Sequence, residues 1–364
     1  MTAMDAERKL QMLVQFGGLV ADEPRLDRLL ELIAEHVRRV LNGDRCTVFL
    51  YDPETRELWS KVAQGMEHHE IRAPIGKGVA GLVAKTGQAI NLPDAYADPR
   101  FSADIDRVSG YKTRNVLAVP MKNKRGELLG VFQVLNKYSG SFDENDEGLL
   151  MLLGSMASGA IETAKLYESV RKSQLETIYR LAITAEYRDQ QDTARHLRNI
   201  SKSSYLIAKA MGFSDAEADN LRHASPLHDI GKVGLADAIL LKPGKLTEEE
   251  FAEMKKHTLY GAKILANAES DLLKIAYKVT ASHHEKFDGT GYPQKLRGEE
   301  IPLEARIVSV ADVFDALCMP RVYKPAWGTK KAYDYIIAES GKAFDPKVVE
   351  AFKIAFPDIT EIYD

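Results

Sequence analysis

His283-His284-Glu285-Lys286-Phe287-Asp288-Gly289-Thr290-Gly291-Tyr292-Pro293 interrupts a region that otherwise reads as helix. Two adjacent imidazoles with a carboxylate beside them are metal-ligand chemistry. Gly289 and Gly291 let the backbone approach a ligand closely. Outward from this stretch, about Ser173 to Asp364 is punctuated by Gly212, Pro226, Pro243-Gly244, Pro302 and Pro325. Nothing there alternates as strands over any length, so an all-α domain is predicted over 175–364.

The chain holds nine histidines, and six lie in this part: His196, His223, His228, His257, His283 and His284. Asp192 and His196 are four apart, which on a helix puts both on one face. His228 and Asp229 are adjacent within Leu227-His228-Asp229-Ile230-Gly231-Lys232. On a helix they point about 100° apart, so they serve two metals or flank one. His257 sits on another predicted helix, and Asp312 follows the apolar run Ile307-Val308-Ser309-Val310-Ala311. Imidazoles and carboxylates without cysteine suit iron, manganese or zinc. Asp192, His196, His228, Asp229, His257, His283, His284 and Asp312 exceed what one ion needs. Two or three divalent ions sharing bridging carboxylates are expected. The pair His68-His69 has no patterned partner and reads as a solvated loop.

Together, His228-Asp229 and the opening stretch resemble the HD-GYP family of HD-superfamily metal-dependent phosphohydrolases. The resemblance covers about Glu186 to Phe356 and includes Arg188-Asp189, His196, the stretch His228 to Lys245, His257, Asp312 and Arg321-Val322-Tyr323-Lys324. It implies an all-helical domain that hydrolyses the bacterial messenger cyclic di-GMP to pGpG, GMP or both. It also implies metal ligation by His196, His228, Asp229, His257, His283, His284 and Asp312, with Asp229 bridging. Asp192 stands where some members carry a Glu that completes a third metal site, and its side chain is one methylene shorter. Thr193-Ala194-Arg195-His196 departs from the Thr-Gly of many members, with an effect expected on packing. The family favours iron, with manganese the alternative.

Paired ions lower the pKa of a shared water and offset charge growing on a phosphate. Lys232, one helical turn past Asp229, is placed to neutralise phosphoryl charge or assist the leaving group. Arg321 and Lys324, three apart, suit the second phosphate of a cyclic dinucleotide. Tyr292, with Gly291 and Pro293 around it, is expected to stack on or hydrogen-bond the nucleotide. Glu285 and Asp288 are expected to fix that loop or to support the histidines from behind.

The first part reads differently. Leu26, Leu29, Leu30, Ile33 and Val37 recur at helical spacing, and Gly43 is expected to end that helix. Cys46, Val48 and Leu50 alternate as a half-buried strand that turns at Asp52-Pro53-Glu54 and returns through Leu58, Ser60 and Val62. A second hairpin runs Val116 to Met121, turns at Asn123-Lys124-Arg125-Gly126, and returns from Leu128 to Leu135. A short helix is expected near Val79–Lys85, and the whole is an α+β sheet domain over 1–165. Gly76-Lys77-Gly78-Val79-Ala80-Gly81 fits a dinucleotide fingerprint, but no βαβ unit surrounds it, so the glycines are read as shaping a helix entry.

From Asp146 to about Glu186 the pattern is one long helix, with 150–186 connecting the domains. Leu152, Met156, Gly159, Thr163, Leu166 and Val170 sit at alternating spacing, as in a coiled-coil seam, and suggest a homodimer. About Asp5 to Lys165 resembles a GAF sensor domain, on the hairpins, the run Ile75 to Gly81 and the exit helix. Asn136-Lys137, Phe142 and Asp146-Glu147 fit the NKFDE pattern of cyclic-nucleotide-binding GAF domains. That resemblance allows a small-molecule ligand or a ligand-free dimerisation domain. A Lys137–Asp146 salt bridge would steady the fold in either case.

At 364 residues, two or three domains are expected. Lys and Arg number 49 against 53 Asp and Glu, so no basic excess exists to grip a nucleic-acid polymer. Two distant cysteines, Cys46 and Cys318, do not read as a disulfide framework, and a cytoplasmic setting fits. No membrane span or signal segment is read. The function expected is GAF-regulated, metal-dependent hydrolysis of cyclic di-GMP. The alternatives are a degenerate HD-GYP domain that binds without turnover, or a phosphohydrolase for another cyclic dinucleotide.

Overall fold

The computed structural model describes residues 3–60, 71–187, 193–319 and 326–363. Asp192, Arg321 and Lys324 lie outside the described residues, as do His68-His69 and Arg188-Asp189. The chain divides into two compact units, Met1–Lys172 and Ser173–Asp364.

In the first unit, helices α1 (Ala3–Ala21) and α2 (Leu26–Val40) precede strands β1 (Gly43–Asp52), β2 (Glu57–Ser60) and β3 (Ile71–Pro74). Helix α3 (Gly78–Thr86), strand β4 (Ile90–Leu92), helix α4 (Asp104–Ser109) and strands β5 (Val116–Lys122) and β6 (Leu128–Lys137) follow. The strands form one antiparallel sheet in the order β3-β2-β1-β6-β5-β4, with Val48 opposite Phe132. Cys46, Val48 and Leu50 on one face pack with Leu29, Ile33 and Val37 of α2. Phe49, between them, packs on the other face with Val79 and Val83 of α3. Strand β1 is therefore covered on both sides, not half-buried. Gly43 opens β1 instead of ending the helix before it; a Cβ there would lie 2.5 Å from Val134.

The glycine fingerprint is a helix entry. Gly76 and Gly78 take positive φ of 87° and 65°, and a Cβ on Gly81 would lie 2.5 Å from the Pro74 carbonyl. Of the NKFDE residues, Lys137 and Asp146 are joined to each other, and Asn136 is tied to the segment before β5. Lys137 pairs with Asp146, Phe142 is buried, and the Asn136 amide accepts from Arg114 N at 2.6 Å and donates to Lys112 O at 2.9 Å.

Helix α5 (Glu144–Glu186) runs for 43 residues, beginning in the first unit and ending in the second. By length and composition it alone among the described helices passes for a membrane span. Its apolar residues Leu150, Leu153, Ala157 and Ile161 are buried in the first unit's core. Met156 also packs there, so it leaves the coiled-coil seam, whereas Leu152, Leu166 and Val170 are exposed.

The second unit is helical: α6 (Thr193–Ala210), α7 (Asp215–Ala224), α8 (Asp237–Leu240), α9 (Glu248–Lys255), α10 (His257–Ile264), α11 (Asp271–Ser282), α12 (Leu303–Cys318), α13 (Thr329–Ala338) and α14 (Pro346–Thr360). Ser214 with Glu217 and Thr247 with Glu250 form capping boxes that start α7 and α9. One core joins α6, α12, α13 and α14 around Phe314 and Phe352. A second gathers Ala182 and Ala185 of α5 with Leu197, Leu227 and Ala276. The space ringed by α6, α10, α11 and α12 receives the polar residues described next.

Candidate metal centre

His228 and Asp229 lie between two short 3-10 turns, Ser225–Leu227 and Ile230–Gly234, and not on a regular helix. Pro226 sits in the opening residues of the first turn, where its missing N–H costs nothing. Gly231 permits the second: a Cβ there would lie 1.9 Å from the His257 carbonyl. This contact seats the turn against the start of α10. Gly261 answers it, since a Cβ there would lie 2.1 Å from Thr280. Helix α6 contributes His196, His283 caps the C-terminal end of α11, and α12 contributes Asp312.

Four of the histidines are held from behind. His228 Nδ1 lies 3.0 Å from Ser225 O, His257 Nδ1 2.8 Å from Met254 O, and His283 Nδ1 3.2 Å from Val279 O. His196 Nδ1 lies 2.6 Å from Asp315 Oδ2. Each contact suits an Nδ1–H donor, which leaves Nε2 as the acceptor facing inward. Those four Nε2 atoms are buried without hydrogen-bond partners, and so is Asp229 Oδ1. Buried polar atoms left in this way are costly unless a further group satisfies them.

The spacing fits an ion. Two donors each about 2.1 Å from one metal are separated by about 3 to 4.2 Å. Asp229 Oδ2 lies 3.4 Å from His228 Nε2, and Asp312 Oδ1 lies 3.9 Å from His228 Nε2 and 3.8 Å from His196 Nε2. Asp229 Oδ1 lies 3.2 Å from His257 Nε2 and 3.6 Å from His283 Nε2. His284 is gathered with Asp229, His257 and His283 in one metal-sized group. Glu186, His196 and His228 form another. The cluster is able to hold metal.

Charge supports the same chemistry. Burial disfavours positive charge beside His228 Nε2, yet Asp229, Glu186 and Asp312 together favour it there, as they would favour a bound cation. Burial also works against the Asp229 carboxylate, but Lys232 and His228 hold it well below the usual range. Lys232 is buried, with Nζ 2.9 Å from Asp229 Oδ2.

The glycine loop folds beside the cluster. Gly291 is required by the loop itself, since a Cβ would lie 2.3 Å from Lys286 N. Glu285 Oε1 accepts from Gln294 N at 2.7 Å, and Asp288 Oδ1 accepts from Thr290 N at 2.9 Å. Both acids thus brace the loop. The Tyr292 ring lies 4.8 Å from His284 and 6.3 Å from Phe251, with Lys255 Nζ 5.4 Å above it. Sequence reasoning missed Glu186 and Asp315 as members of the site. A carboxylate one helical turn after Asp312 was the signal for Asp315.

Residues 178–348 match the HD domain family, and residues 25–161 match the GAF domain family. A Xanthomonas campestris protein named cyclic di-GMP phosphodiesterase response regulator RpfG is 45% identical over 182 residues, covering 50% of this chain and 48% of that protein. A Thermotoga maritima cyclic di-GMP phosphodiesterase is 40% identical over 231 residues, covering 64% and 61%. A Vibrio cholerae 3'3'-cGAMP-specific phosphodiesterase 2 is 38% identical over 213 residues, covering 58% and 41%. The chain spans about half the length of the curated relatives it matches. The helical unit, with its histidines and the aspartate among them, matches the HD domain family. The chain carries a GAF domain followed by an HD domain.

Proposed function

We propose that this chain is a metal-dependent phosphodiesterase whose substrate is cyclic di-GMP. The observation that carries the reading is Asp229, which turns one oxygen to His228 and the other to His257 and His283. One carboxylate would thus serve two ion positions. His196, His228, Asp312 and Asp229 would hold one divalent ion; Asp229, His257, His283 and His284 would hold the second. Iron or manganese suits this mixed donor set. When bound, such ions supply Lewis-acid charge at a phosphate and acidify a water.

The chain's own residues supply the rest. Lys232 offers buried positive charge to a phosphate oxygen. Tyr292 and Phe251 offer aromatic faces to a base, with Lys255 beside them. Arg321 and Lys324 take the second phosphate, and Asp192 serves a third ion where one binds. The relatives named as cyclic di-GMP phosphodiesterases support the substrate. The GAF domain is read as the regulator, open to a small-molecule ligand, and the exposed Leu152, Leu166 and Val170 of α5 as a homodimer seam.

A second reading, hydrolysis of 3'3'-cGAMP, is favoured by the relative of that specificity. The test is to purify the full chain anaerobically, quantify its metals, and resolve the products formed from each dinucleotide. Formation of pGpG or GMP, lost on chelation and in Asp229→Ala, is expected. Intact cyclic di-GMP with full metal sites would overturn the assignment, and turnover of 3'3'-cGAMP alone would favour the second reading.

A further inference from the structure

Glu186 is the last residue of α5 and is 1% exposed. Both of its carboxylate oxygens are buried without a hydrogen-bond partner. Oε2 lies 3.9 Å from His196 Nε2, and Oε1 lies 4.0 Å from His228 Nε2. Both nitrogens also lack hydrogen-bond partners. A carboxylate taken out of water and given no donor is costly unless a cation compensates it. The spacing is that of donors sharing one ion, the same as between these histidines and Asp312.

We propose that Glu186 is a ligand of the ion held by His196 and His228. The inference rests on the two-ion reading above. It makes the two positions unlike. One gathers the carboxylates of Glu186, Asp229 and Asp312 with two imidazoles, and the other gathers three imidazoles with Asp229 alone. The carboxylate-rich position favours a harder ion such as manganese. It also means that the helix beginning at Glu144 ends on a metal ligand.

The test is calorimetric titration of the chelated chain, both units included, with Mn2+, for the wild type, Glu186→Gln and Glu186→Asp. The wild type is expected to bind two ions. Glu186→Gln keeps the shape and removes the charge, so one of the two affinities should fall at least tenfold while the other holds. Glu186→Asp, which keeps the charge but withdraws it, should fall between. Thermal melts separate ligation from scaffolding. Metal-free Glu186→Gln should melt no lower than the metal-free wild type, and the difference should open only when Mn2+ is added.

Two unchanged affinities in Glu186→Gln would overturn the proposal while leaving the two-ion reading intact. So would a metal-free melt that falls as far as the loaded one. A wild type that binds no ion would overturn both.

Discussion

Asp315 Oδ2 lies 2.6 Å from His196 Nδ1, while its other oxygen accepts from Asn199 Nδ2 at 2.7 Å and from the Tyr363 hydroxyl at 2.9 Å. This fully buried carboxylate therefore fixes the ring orientation and tautomer of one histidine at the centre. Supporting contacts of this kind are worth about 10- to 100-fold in metal affinity. Asp315→Asn is expected to lose that much at the His196 position, at a cost in stability of about 1–3 kcal/mol. Metal titration and urea unfolding on the same variant would check both; undiminished affinity would contradict the role.

Loading with metal should stabilise the chain. A ligand at 100 times its Kd adds about 2.7 kcal/mol per site. For a unit of this size each kcal/mol moves Tm by about 2–4 °C. The second unit is thus expected to melt about 5–10 °C higher with each ion present and to return on chelation. Calorimetric scans with and without Mn2+ measure the shift, and Asp229→Asn should abolish most of it.

Gly231 tests the backbone contact beneath the centre. A Cβ at this position would lie 1.9 Å from His257 O and 2.4 Å from Gly261 N, so Gly231→Ala must push the turn and α10 apart. Overpacking of this kind costs about 1–3 kcal/mol. The variant is expected to lose stability in urea and to bind metal more weakly, because the two sides of the Asp229 bridge separate. Normal metal binding would show that the contact is tolerated.

Acid sensitivity in the first unit should trace partly to Glu35. The Arg38 side chain, helped by Arg39, holds its carboxyl down at about 2 against a usual 4.5. A lowered pKa in the folded state stabilises above the unfolded value and is lost as pH falls through the folded one. The stability difference between wild type and Glu35→Gln is therefore expected to be full above pH 4.5 and to shrink toward pH 2. Denaturant unfolding across that interval measures it, and a difference constant with pH would exclude the ion pair as the cause.

The histidines could be read from sequence because imidazole pairs in an apolar helical context are chemically unusual. Glu186 could not be read this way. It stands in a helix with many other charged residues, and its partners His196 and His228 lie 10 and 42 positions away. Only the packing of Ala182 and Ala185 beside it turns its face inward. Asp315 was hidden within a helix valued for Asp312. In the first unit, β3 and β4 are four and three residues long, too short for alternation to register. The sheet's second buried face went unread because Phe49 sits among residues whose alternation already pointed to the first.

In the proposed centre Asp229 would belong to both halves, so the halves could not be lost separately through it. A copy of this chain drifting away from catalysis, yet still using one ion to hold its shape, can shed an imidazole from one side and survive. It cannot shed the aspartate without losing both sides together. Among diverging descendants, decay should therefore begin at His196, His257 or His284 and reach Asp229 last.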